Sequence, residues 1–131
     1  MTQKYWPGTI WAIIILLLTG FPGSYFPKII SFWDWISPDK IVHLGIFAVF
    51  TFLLLWGYRT QYYESDKRLL FNTLAFLTGS SFGALTEILQ TTVFIGRHGS
   101  LYDFFADCVG SMIGIVFFAL LYRKKPSKDN P

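Results

Sequence analysis

Eight polar or ionisable side chains in this 131-residue chain stand inside or at the edge of apolar runs: Asp39, Lys40, His43, Glu87, Gln90, Arg97, Asp103 and Asp107. Together they offer carboxylates, an imidazole whose charge changes near neutral pH, and two cations suited to a phosphate or a carboxylate. Two kinds of chemistry follow. Proton transfer would fall to His43, Glu87 and Asp107, and recognition of a charged headgroup would fall to Lys40 and Arg97 with the acids around them. No nucleophile has an attendant base: the chain has no G-x-S-x-G and no phosphate-binding glycine loop, so catalysis stays open and no cofactor is implied. No His-x-x-x-His or cysteine spacing accompanies His43, and no metal is read from the sequence.

What must position these residues is legible from composition. The chain is 53% hydrophobic, 20% aromatic and 15% charged, where a soluble domain carries about a quarter charged residues. Lipid is the expected solvent. The net charge of +3 is spread between apolar runs and forms no single stripe, which argues against nucleic acid. Cys108 is the single cysteine, so no internal disulfide forms.

Four apolar stretches predict four spans, at about 6–21, 41–58, 69–92 and 101–122. Three are long enough for a hydrocarbon core of about 30 Å at about 1.5 Å per residue. The first is shorter and ends in "GFPGSYFP"; with no small-residue cleavage pattern it reads as a retained span. The fold class expected is therefore an all-α membrane bundle of four helices in a single domain over 1–131, with a basic tail over 123–131. Orientation follows from the basic residues. Lys4, Arg59, Lys67, Arg68, Arg123, Lys124, Lys125 and Lys128 fall on one side, against Lys28, Lys40 and Arg97 on the other. Both termini are thus expected in the cytoplasm. Trp33 and Trp35 before the second span, and Trp56 and Tyr58 at its far end, fit interfacial belts.

With that topology, every ionisable group within a span lies in the outer half of the bilayer. Charged groups there are costly and usually face the bundle interior, where they find partners. Residues three and four apart share a helix face. In the third span Gly79, Ser80, Gly83, Glu87, Gln90 and Thr91 form one stripe, and in the fourth Asp103, Ala106, Asp107, Gly110 and Gly114 form another. Gly79-x-x-x-Gly83 and Gly110-x-x-x-Gly114 let helices approach closely, so spans three and four are expected to pack through these stripes. Arg97, in the short loop before the fourth span, is the expected countercharge. Simpler roles compete: Asp39 and Asp103 as acids favoured in a helix's first turn, Lys40 as a snorkelling side chain, Glu87 as a structural latch. His98, in the same loop as Arg97, is expected to be incidental.

The segments "DKIVHLGIFAVF", "TEILQ" and "GRHGSLYDFFADCVGSMIG" resemble the motifs of the VanZ-like family of small bacterial membrane proteins. The resemblance covers roughly Asp39 to Gly114. Where the family's pattern usually has Asn this chain has Asp107, which adds a carboxylate. The resemblance implies a multi-pass protein of the bacterial cell (inner) membrane and a link to the cell envelope and to glycopeptide (teicoplanin) resistance, which is known for the founding member. Expected partners are membrane lipid, a lipid-linked envelope precursor or a glycopeptide, and no nucleic acid. The alternative is a non-catalytic membrane scaffold or interaction protein whose buried charges only fix helix packing.

Overall fold

The computed structural model describes residues 5–20, 38–93 and 101–123. They form five helices: α1 (Trp6–Gly20), α2 (Pro38–Gly57), α3 (Arg59–Glu64), α4 (Arg68–Thr92) and α5 (Leu101–Leu121). No strand occurs among the described residues. Long apolar sequences close all their backbone hydrogen bonds internally as helices, the form hydrocarbon demands. Windows in α2, α4 and α5 are long and apolar enough to cross a membrane. That is the character of a membrane protein. Helix α1 is apolar but only 15 residues long. The stretch 59–68, expected as a loop, contains the one-and-a-half-turn helix α3, whose Tyr62 is buried.

Helix α2 is the hub. It packs against α1, α4 and α5, most extensively against α5. The cause is steric and is seen at two glycines. A Cβ on Gly110 would collide with the backbone carbonyl of Leu44, and one on Gly114 with the carbonyl of Ala48 and the hydroxyl of Thr51. The glycine pair of α5 therefore faces α2, and the expectation that it meets α4 is corrected. Gly79 and Gly83 of α4 do face α5, where a Cβ at Gly83 would stand 2.9 Å from the Cβ of Asp107. One stripe identifies a close face; it does not identify the partner. Cross-helix polar bonds reinforce the contact, since Thr51 Oγ1 donates to the Ser111 carbonyl at 3.0 Å.

Helix α1 lies on the outside of this arrangement and is tied by a few specific contacts. The Trp11 indole donates to the Ile46 carbonyl at 2.8 Å, and Gln90 Nε2 donates to the Thr19 carbonyl at 3.2 Å. At its start Tyr5 packs edge-on against Tyr58, with ring centroids 5.5 Å apart. A hydrogen bond with Tyr5, and then burial, push the Tyr58 hydroxyl up to about 12. Apolar side chains cover the outward faces, among them Leu74, Leu77, Leu85 and Ile88 on α4 and Val109, Val116, Phe117 and Leu120 on α5.

Candidate functional site

The three span-length helices bring their polar residues together at one end. His43 lies five residues into α2, Glu87 and Gln90 lie in the last turns of α4, and Asp103 and Asp107 occupy the first two turns of α5. Chain direction accounts for the coincidence of depth, because the start of α2 and of α5 meets the finish of α4. Helical spacing does the rest: Gly83, Glu87 and Gln90 fall on one buried face of α4, and Asp103, Asp107 and Gly110 on one buried face of α5.

Burial is nearly complete. His43 is 1% exposed, Asp107 0%, Gln90 1%, Asp103 6% and Glu87 8%. His43 Nδ1 stands 2.8 Å from Asp107 Oδ1 and 3.7 Å from Glu87 Oε1. With Asp107 ionised the carboxylate only accepts, the imidazole N–H is the donor, and the bond fixes the tautomer and the ring plane. The Asp107 side chain also fills the space left by Gly83. A methyl group there would push the carboxylate away from His43. His43, Glu87 and Asp103 each offer an atom capable of binding a metal, and these atoms lie within 4.8 Å of one another. Imidazole and carboxylates this close can pass a proton, hold a cation, or receive the cationic part of a polar ligand.

The expected members of the site divide into three groups. His43, Glu87, Asp103 and Asp107 converge directly. Gln90 is buried on the same face, and its amide ties α4 to α1 through Thr19. Lys40, half-buried one turn before His43, has its ammonium 5.8 Å from the centre of the Tyr102 ring, so it stands at the rim. Asp39 lies in the first turn of α2, and its side chain falls outside the described residues, as do Arg97 and His98 entirely. Of the two stripes, Ser80 and Ala106 are half-buried and Thr91 is exposed, at the margins of the contact.

Sequence reasoning passed over Thr51, Thr86 and Ser111, all fully buried. Thr86 caps its polarity locally by donating to the Gly83 carbonyl at 2.8 Å. The available signal was position: Ser111 is one turn beyond Asp107, and Thr51 two turns beyond His43, on the faces that carry the site. Comparison with protein-family models, curated proteins and solved structures gives no match to this chain.

Proposed function

We propose that this chain is a VanZ-like integral membrane protein of the bacterial inner membrane, and that α1, α2, α4 and α5 cross the bilayer as a four-helix bundle with both termini in the cytoplasm. On this reading the cluster around His43 lies in the outer half of the bilayer and recognises the polar headgroup of lipid-linked or other cell-envelope material. The observation that carries the reading is the convergence of His43, Glu87, Asp103 and Asp107 from three span-length helices into one buried cluster. Ionisable groups in such segments mark ligand or ion pathways more often than they serve packing alone. Lys40 at the rim, and Arg97 a few residues before α5 in the sequence, supply the cations that meet an anionic group first on this reading, and the deeper acids favour a ligand that also carries positive charge. His43 and Glu87 are then placed for proton transfer if a reaction follows.

The test is native mass spectrometry of the chain released from mild detergent, with the parent compared to Arg97→Glu. Retained lipid-linked material in the parent, lost in the variant, is the expected result. A second reading, scaffold rather than binder, draws on the steric lock at Gly110 and Gly114 and on the His43–Asp107 bond, which fix the helix pairing without any ligand. Parent-like behaviour of Arg97→Glu, both in retention and in glycopeptide susceptibility, would favour it.

A further inference from the structure

His43, Glu87 and Asp103 come from three different helices, and their separation along the chain hides what their side chains have in common. Each contributes one nitrogen or oxygen donor to a space in which all three donors lie within 4.8 Å. Each is more than nine-tenths buried. Three donors around one ion at about 2.1 Å in tetrahedral geometry stand about 3.4 Å apart. The contraction needed is therefore about 1.4 Å at most, within reach of the rotatable Glu87 and Asp103 side chains. Glu87 is the longer of the two acids and has the more freedom to adjust.

The donor chemistry selects the ion. One imidazole with two carboxylates suits a borderline ion such as Zn²⁺; Ca²⁺ and Mg²⁺ favour all-oxygen sites. A metal-bound histidine almost always donates its second ring N–H to a carboxylate or carbonyl, which sets the tautomer and raises the basicity of the ligating nitrogen. Asp107 meets that description. It is fully buried and its Oδ1 is 2.8 Å from His43 Nδ1; Glu87 Oε1 also lies on the Nδ1 side, at 3.7 Å, so ligation through the Nε2 lone pair requires the Glu87 carboxylate to swing toward it.

We propose that His43, Glu87 and Asp103 bind one Zn²⁺ ion, with Asp107 as the positioning residue that holds the imidazole. Three protein ligands leave a fourth position open, the arrangement of zinc sites that handle a ligand or a water. Occupation of that position by a headgroup oxygen rests on the reading given above; the ion site itself does not.

The experiment uses the full chain purified in lipid-free detergent, stripped with a chelator, equilibrated with Zn²⁺ and desalted. Elemental analysis should return one zinc per chain. His43→Gln, Glu87→Gln and Asp103→Asn should each weaken binding at least about tenfold, and Asp107→Asn should weaken it about 10- to 100-fold, the range found for second-layer carboxylates. Arg68→Gln, at the opposite end of the bundle, should bind as the parent does. Should the variants fail to accumulate, the parent alone decides: Co²⁺ in place of zinc should give the visible absorption of a four-coordinate nitrogen and oxygen site. Failure of the parent to hold stoichiometric zinc, a featureless Co²⁺ spectrum, or parent-like zinc binding by a folded His43→Gln variant would overturn the proposal. Stoichiometric zinc with no retained lipid-linked material would overturn the headgroup reading alone.

Discussion

The two ends of the helices solve the same packing problem with opposite materials. At one end, His43, Glu87, Asp103 and Asp107 are buried together. At the other, where α2 and α5 finish and α4 begins, the buried cluster is Leu55, Tyr62, Ala75, Ile115 and Phe118. There the rings do the joining. Tyr62 meets Phe118 edge-on at 5.1 Å, and Phe118 stacks on Tyr122 at 4.3 Å. Among the described residues, the cations at this end stay outside the core. Arg59 lies over Trp56 at 4.1 Å and donates to its carbonyl, and Arg68 donates to the carbonyls of Tyr62 and Tyr63. The aromatic end holds together with no acid or imidazole in its buried cluster. Charges buried at the other end therefore exceed what packing requires, which is the physical argument for reading that end as a site.

Three changes would break or sharpen the contrast. The largest effect is expected midway between the ends, at Gly114→Leu, where the added side chain meets the α2 backbone, which cannot move aside. Loss of folded protein by about 3 kcal/mol or more should appear in detergent unfolding curves, at the top of the range for overpacking. Retained stability would mean that α2 and α5 can separate without penalty, and the comparison would lose its common scaffold. At the aromatic end, Phe118→Ala opens a cavity in a fully buried position. Lipid tails are as apolar as the core, so mainly the cavity cost remains, about 2 kcal/mol. Zinc binding at the far end should be unchanged. The smallest stability change belongs to Glu87→Gln, about 0.6 kcal/mol, the mean for interhelical hydrogen bonds in membranes. Folded amounts should match the parent while ligand or ion retention falls; a loss of folded protein in step with retention would make Glu87 a latch.

Much of this was legible from sequence, and the reasons are uneven. The span-length helices begin and end within three residues of the expected bounds, because apolar runs of 18 or more residues leave the chain little alternative. Helix α3 escaped notice since Arg59–Glu64 has a single buried position, Tyr62, and no periodic apolar face. That the polar residues of three helices would meet at one end could be foreseen, because depth in a membrane follows from distance along each helix. The geometry of their meeting could not. That His43 pairs with Asp107 and lies within 4.8 Å of a donor atom on Glu87 and on Asp103 depends on rotation of three helices about their axes, which spacing within one helix does not determine. The same ignorance of rotation explains the mistaken partner for Gly110 and Gly114.

The His43–Asp107 bond joins residues 64 positions apart in the chain, and this has a consequence for the order of events during synthesis. At about 5–20 residues per second, roughly 3–13 s separate the emergence of His43 from that of its acid partner. For that interval α2 carries its imidazole without the carboxylate that will orient it, and the Leu44 and Ala48 carbonyls wait for the glycines that will cover them. The polar end, like the aromatic end that needs Ile115 and Phe118, is thus completed only when α5 docks. A ribosome stalled before Asp103 would leave α1 to α4 made and the site without both of its aspartates.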